Sequence, residues 1–176
     1  LVLQYFSFGQ RFTFADIGTG SGVLGICLAI NYPNSVGVGT EISASALDIA
    51  KANMFKHAVC KRFFPVRCDW LESLKRHNLD LIVSNPPYLS YEQYTSLNSE
   101  IKDHEPREAL LAGKKGTERL EYLFAQIAAC LKPGGSFFVE IDCSQGEYVL
   151  DCLNRDFANQ YTQIHLYADL LDRNEP

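Results

Sequence analysis

The sequence predicts an α/β fold: a doubly wound, mostly parallel sheet with helices on both faces. Three observations predict it. Short apolar runs alternate with helix-periodic segments along most of the chain. The runs are nearly continuous in apolar residues, as strands buried on both faces are. Their carboxyl ends carry glycine, proline or acidic residues, where open α/β sheets place their ligands.

The elements follow in order. Phe12 to Ile17 reads as the first strand and runs into Gly18. Ser21 to Ile30 has helical periodicity and stops at Asn31-Tyr32-Pro33-Asn34. Val36 to Thr40 is the second strand, closed by Glu41, and Ser43 to Phe55 is a helix with Ser43 as its N-cap. Phe63 to Arg67 is the third strand, leading into Asp69-Trp70, and Leu79 to Ser84 is the fourth. Tyr88 to Thr117 is polar and irregular, too long for an ordinary connection, and reads as a functional loop or lid. Thr117 to Leu131 is helical, and Lys132-Pro133-Gly134-Gly135 is read as its glycine C-terminus. Ser136 to Ile141 is the fifth strand and Ser144 to Arg155 a helix. Gln163 to Tyr167 is the sixth strand, and Asp169 to Arg173 starts a seventh, truncated one. No repeat or low-complexity tract interrupts the series, so residues 1–176 read as one domain.

A chain of this size buries roughly 70% of its unfolded surface. With 47% hydrophobic residues it is composed like an ordinary soluble globule. No apolar stretch has the length of a bilayer span, and no signal peptide opens the sequence. The sequence begins at Leu1 rather than Met and is read as a fragment. The aromatics Tyr5, Phe6, Phe8, Phe12 and Phe14 are then packing groups left by a removed neighbour. The net charge of −5 speaks against direct nucleic-acid binding, which rests on basic surface. Lys61-Arg62, Lys75-Arg76-His77 and Lys114-Lys115 are read as solvated loop ends. The six cysteines (Cys27, Cys60, Cys68, Cys130, Cys143 and Cys152) form no C-x-x-C pair, so no metal site is expected. Scattered thiols of this kind favour a reducing, cytoplasmic compartment. His57, His77, His104 and His165 stand alone and are read as surface or packing residues.

Asn85-Pro86-Pro87-Tyr88 carries the most chemical information. It follows the fourth strand directly, at the ligand-binding end. The prolines fix φ and remove two backbone donors, and Asn85 is pushed toward an extended conformation. The result is a stiff turn with one amide side chain, free carbonyls and an aromatic face. Such a turn can accept both hydrogens of a planar –NH2 group and stack on its plane.

Asp16-Ile17-Gly18-Thr19-Gly20-Ser21-Gly22 joins the first strand to the first helix, and its glycines let a ligand approach the backbone. Gly20-Ser21-Gly22-Val23-Leu24-Gly25 literally matches the dinucleotide fingerprint, with Glu41 about twenty residues on, so a nicotinamide dehydrogenase competes from this segment alone. Three features weigh against it. Asp16 could meet a cationic amino group, Asp69-Trp70 could serve an adenine edge and face, and hydride transfer has no need of the Asn-Pro-Pro-Tyr turn. S-adenosylmethionine needs a ribose acceptor, an adenine platform and a carboxylate for its ammonium, and no pyrophosphate donors.

These segments resemble the class I S-adenosylmethionine-dependent methyltransferases, and within them most closely the HemK/PrmC family. Outside the shared motifs, His104-Glu105-Pro106-Arg107-Glu108-Ala109-Leu110 with Gly113 and Gly116 resembles that family's loop after the turn. Leu131-Lys132-Pro133-Gly134-Gly135, Glu140-Ile141 and Gln145-Gly146 resemble its later segments. The resemblance runs from about Phe12 to Arg173. Glu41 stands where Asp is more usual, Lys114-Lys115 replaces a more acidic pair, and the family's Pro-Arg-Pro-Glu-Thr segment and N-terminal helical domain are not in the sequence.

The resemblance implies a Rossmann-like methyltransferase, its doubly wound, mostly parallel sheet ending in an antiparallel strand, that moves a methyl group to the side-chain amide nitrogen of a glutamine in peptide chain release factors. It implies Asn85, Pro86, Pro87 and Tyr88 at the reacting group. It implies Asp16, Gly18, Thr19, Gly20, Ser21, Gly22, Glu41, Asp69, Trp70 and Asn85 around S-adenosylmethionine. The same turn also occurs in enzymes that methylate the exocyclic amine of adenine or guanine, which remains the alternative acceptor. A non-catalytic, cofactor-binding subunit is a third reading, and the intact turn argues against it.

Overall fold

Five of the apolar runs form one parallel sheet. The computed structural model describes residues 2–168, so the expected seventh strand at Asp169 to Arg173 lies outside the described residues. In chain order the elements are α1 (Val2–Tyr5), β1 (Thr13–Ile17), α2 (Val23–Asn31), β2 (Val36–Glu41), α3 (Ala44–Lys56), β3 (Phe63–Arg67) and β4 (Leu79–Ser84). Then come β5 (Leu89–Ser90), α4 (Tyr91–Ser96), α5 (Ser99–His104), α6 (Arg107–Leu110), β6 (Leu111–Gly113), α7 (Glu118–Cys130), β7 (Leu131–Val139), a 3-10 turn (Cys143–Gln145) and α8 (Gly146–Asp156). The main sheet has the order β3-β2-β1-β4-β7, every pairing parallel. The strand order reverses at β1, which puts a topological switch point between β1 and β4.

The chain divides into two compact units: residues 1–86 with 129–140, and residues 87–128 with 141–176. The first holds the whole five-stranded sheet. Its core gathers Phe12, Phe14, Ile26, Tyr32, Met54, Phe63, Leu81 and Val83. Phe14 and Phe63 stack with ring centroids 5.8 Å apart. A Cβ at Gly25 on α2 would lie 2.1 Å from the Phe63 ring, so glycine lets this helix lie close on the sheet. At the opposite end of the strands, Asp80 accepts hydrogen bonds from the Thr13 amide (2.7 Å) and Lys132 Nζ (2.8 Å), tying the starts of β1, β4 and β7. Phe6, Phe12 and Phe14 are not left-over packing groups, because all three are buried in this core, whereas Tyr5 and Phe8 are exposed.

The second unit contains the small β5-β6 sheet, α4 to α6, most of α7, and α8. Here α7 and α8 bury Leu120, Leu123, Phe124, Ile127, Val149, Cys152 and Leu153. Phe157 meets Phe124 edge-on, and Tyr161 donates to the Phe124 carbonyl at 2.7 Å.

Three further expectations are corrected. Residues 88–117 are not irregular. Ser90 and Gln93 form a reciprocal capping box that starts α4, and short helices and strands fill the rest. Lys132 to Gly135 does not close α7 with a glycine cap. The last carbonyls of α7, at Ala129 and Cys130, accept from the amides of His77 and Asn78 instead. Residues 132–135 belong to β7, whose register against β4 shifts there while Gly134 takes φ +80°. Finally, Gln163 to Tyr167 forms no strand. Four of its five residues are exposed and no neighbouring edge pairs with them, so the sheet is wholly parallel among the described residues. No helix among the described residues is long and apolar enough to cross a membrane.

Candidate active site

The residues singled out in the first unit converge on the carboxyl ends of β1 to β4. Gly18, Gly20 and Gly22 all have positive φ (64°, 55° and 87°), a conformation that favours glycine and turns the chain sharply from β1 into α2. A Cβ at Gly18 would meet nothing within 4 Å, and one at Gly20 only a loop carbonyl at 4.0 Å. The loop therefore presents bare backbone to open space. It is held from both sides: the Thr19 amide donates to the Thr40 carbonyl (2.9 Å), and Asn53 on α3 donates to the Ser21 carbonyl (2.9 Å).

Asp16 is buried at the end of β1 with only 1% exposure. Its Oδ2 accepts from the Thr19 hydroxyl at 2.6 Å and from the Gly25 amide at 2.8 Å. Burial pushes its carboxyl up to about 6, with a smaller push from the Glu41 charge, while the Thr19 and Gly25 hydrogen bonds pull the other way. One oxygen thus braces the loop and the first turn of α2. The other, Oδ1, makes no hydrogen bond among the described residues.

Glu41, at the end of β2, divides its oxygens: Oε2 accepts from the Gly20 amide (3.1 Å) and Oε1 from the Ser43 amide (2.9 Å). Each oxygen keeps acceptor capacity for a further donor. Beyond β3, Asp69 is half-buried and its carboxylate makes no hydrogen bond among the described residues. Trp70 beside it takes φ +51° and is 9% exposed, so most of its ring lies in the core.

Asn85 follows β4 and is exposed, with no hydrogen bond to its side chain among the described residues. Pro86 is buried, and its carbonyl likewise accepts none. Pro87 and Tyr88 begin the second unit and are half-buried. The Tyr88 carbonyl accepts from Gln145 Nε2 at 2.8 Å. The part played by Asn53 carries no sequence signal. The part played by Gln145 does, because Asp142-x-x-Gln145 has the spacing of a capping box. Among the described residues no group of three or more His, Cys, Asp or Glu side chains is placed to hold a metal ion.

Residues 1–104 match the family model of the methyltransferase small domain. The chain is 40% identical over 163 residues to the release factor glutamine methyltransferase of Nitratidesulfovibrio vulgaris, covering 91% of this chain and 55% of that protein. It is 36% identical over 166 residues to the bifunctional methyltransferase of Rickettsia typhi, covering 94% of this chain and 31% of that one. Against these relatives the chain spans about a third to about half of their length. Among solved structures it resembles a ribosomal protein L11 methylase from Lactobacillus delbrueckii subsp. bulgaricus, with TM-score 0.59, 22% identity, and coverage of 89% of this chain and 63% of that one. It also resembles a precorrin-6y C5,15-methyltransferase from Geobacter metallireducens, with TM-score 0.59, 15% identity, and coverage of 86% and 66%. These two likenesses show the fold alone, the Rossmann-like α/β arrangement of class I methyltransferases.

Proposed function

Because the chain belongs to the methyltransferase small domain family, we propose that it transfers a methyl group from S-adenosylmethionine to the side-chain amide nitrogen of a glutamine in a peptide chain release factor. The observation that carries this reading is Asn85: an exposed, unengaged amide at the end of β4, beside the switch point, followed by a proline carbonyl that is also unengaged. The name of the Nitratidesulfovibrio relative supports the choice of glutamine as acceptor. A cytoplasmic location accords with that substrate.

The residues fit the cofactor. Open space over Gly18 and Gly20 admits a ligand against the backbone. Glu41 retains acceptor capacity for two ribose hydroxyls, Asp16 Oδ1 suits an ammonium group, and Asp69 suits the amino edge of adenine, with Trp70 backing it from the core. Bound there, S-adenosylmethionine supplies an electrophilic methyl group on a sulfonium.

The protein's own task is to make an amide nitrogen nucleophilic. That nitrogen is weak because its lone pair is delocalised into the carbonyl. Asn85 Oδ1 and the Pro86 carbonyl accept its two N–H bonds and favour charge on nitrogen. Tyr88 packs on the amide plane and keeps the lone pair in line. Positioning and preorganised dipoles of this kind supply several kcal/mol of barrier reduction. The reading needs no general base, and the proton leaves to water after transfer.

Incubation with methyl-labelled donor tests the reading. Label is expected on release factor, and is expected to vanish when the acceptor glutamine is replaced by alanine. Label on adenine or guanine in oligonucleotides, with none on release factor, would move the acceptor to nucleic acid.

A further inference from the structure

We infer that Gln145 is a positioning residue for Tyr88, locking the aromatic end of the Asn-Pro-Pro-Tyr turn from the start of α8. The inference rests on the function proposed above and adds a residue to its machinery. Every group concerned lies in the second unit.

Gln145 is a polar side chain with 5% exposure, a placement that requires its amide to be satisfied. All of it is used. Nε2 donates to the Tyr88 carbonyl at 2.8 Å and to the Gly116 carbonyl at 3.1 Å, while Oε1 accepts from the Asp142 amide at 3.1 Å. Two carbonyl partners and one N–H partner allow a single orientation, because a flipped amide would set its oxygen against both carbonyls. Gly116 closes the clamp from the other side. It has φ +89°, and a Cβ there would lie 2.7 Å from the Tyr88 carbonyl oxygen, 2.9 Å from Gln145 Nε2 and 3.1 Å from the Ser90 amide. Only glycine leaves room for all three.

A second tie runs beside the first. Asp142 caps the turn that carries Gln145, and its Oδ2 accepts from Gln93 Nε2 at 3.4 Å. Gln93 is itself half of the capping box that begins α4, with Ser90 two residues after Tyr88. Two capping boxes, Ser90 with Gln93 and Asp142 with Gln145, are thus hydrogen-bonded to each other across the segment that follows the turn. The ring of Tyr88 inherits its placement from a backbone held at its own carbonyl and again at the next helix start. A buried network of this kind is stiff when every member is paired and loosens when one is removed.

Gln145→Ala removes both donors. Gln145→Glu keeps the shape and the accepting oxygen but sets a carboxylate against two carbonyls. Both variants are expected to lower kcat by roughly ten- to a hundredfold, the scale of an ångström of misplacement. The dissociation constant for S-adenosylmethionine, which rests on first-unit residues, is expected to stay within about twofold of wild type. Gln145→Glu is expected to regain kcat as pH falls and its carboxyl becomes a donor, while Gln145→Ala is not. Amide hydrogen exchange over residues 87–93 is expected to quicken in both. Unchanged exchange there overturns the inference, and so does a kcat loss matched by equal loss of cofactor affinity and thermal stability. Should Gln145→Ala fail to fold, Gly116→Ala decides: normal kcat with a Cβ pressed on the Tyr88 carbonyl overturns it. A wild-type chain that leaves release factor unlabelled refutes the proposed acceptor, and the exchange measurement still decides the clamp.

Discussion

Asp16→Asn should make the protein more stable and a poorer cofactor binder. The carboxyl is 1% exposed and burial holds it at about 6, well above an ordinary aspartate. The folded state therefore binds a proton more tightly than the unfolded chain. Wild-type stability is greatest below about pH 4 as far as this group is concerned, falls as pH rises through the interval up to about 6, and stays lowered above it. At about 1.4 kcal/mol per pH unit the ionised carboxylate costs about 3 kcal/mol at neutral pH. That is a large share of the 5–15 kcal/mol typical of a domain. Asparagine keeps a single oxygen able to accept from both Thr19 and Gly25 and carries no charge. Its stability advantage is expected to be near zero at pH 4, to grow to pH 6 and to level off at up to about 3 kcal/mol, a shift of roughly 6–12 °C in melting temperature for a chain of this size. Urea unfolding at four pH values measures it. Calorimetry on the same variant should show affinity for S-adenosylmethionine reduced roughly ten- to a hundredfold, the loss of one charged hydrogen bond. A variant whose advantage does not change with pH refutes the burial argument. A variant with unchanged cofactor affinity refutes the role given to Oδ1.

Three further perturbations test other parts of the site. Asn85→Ala should lower turnover by about a hundredfold or more, on the scale of one preorganised polar contact, with melting behaviour preserved; near-normal turnover would exclude its role. Glu41→Ala should weaken cofactor binding by about 1.5–3 kcal/mol, because it removes a charged acceptor and releases the Gly20 and Ser43 amides; unchanged affinity by calorimetry contradicts the ribose assignment. Gly25→Ala drives a methyl to 2.1 Å from the Phe63 ring and should cost at least the 1–3 kcal/mol usual for overpacking; a denaturation midpoint equal to wild type would show that α2 can lift off the sheet.

Legibility in the sequence followed the range of the interactions. The strand ranges Phe63 to Arg67 and Leu79 to Ser84 agree with the structure residue for residue, because an apolar run bounded by turn residues is a local signal. Ser43 was readable as a cap for the same reason, and its hydroxyl accepts from the Ala46 amide. The capping boxes at Ser90 and Asp142 were equally local, yet the polar composition of 88–117 masked the first. The Lys132-Pro133-Gly134-Gly135 stretch misled because its conformation is decided by β4, some fifty residues away, and by residues 77 and 78 taking over the end of α7. The burial of Trp70, the sharing of Asp16 Oδ2 between Thr19 and Gly25, and the triple use of Gln145 depend on neighbours that only the folded chain brings together.

The strand order also dictates when the site can exist. Strand β4 bears Asn85 and is zipped to β1 on one edge and to β7 on the other, with Ser84 bonded to a residue 67 positions away. Closing such wide loops is slow, and parallel ladders reward it late. While a nascent chain leaves the ribosome, the glycine loop and β2 can assemble early, but β4 has an unpaired edge until Phe137 and Phe138 emerge. The candidate site is therefore completed only when β7 docks on β4, and the interval before that exposes an unpaired strand margin of the kind that invites aggregation.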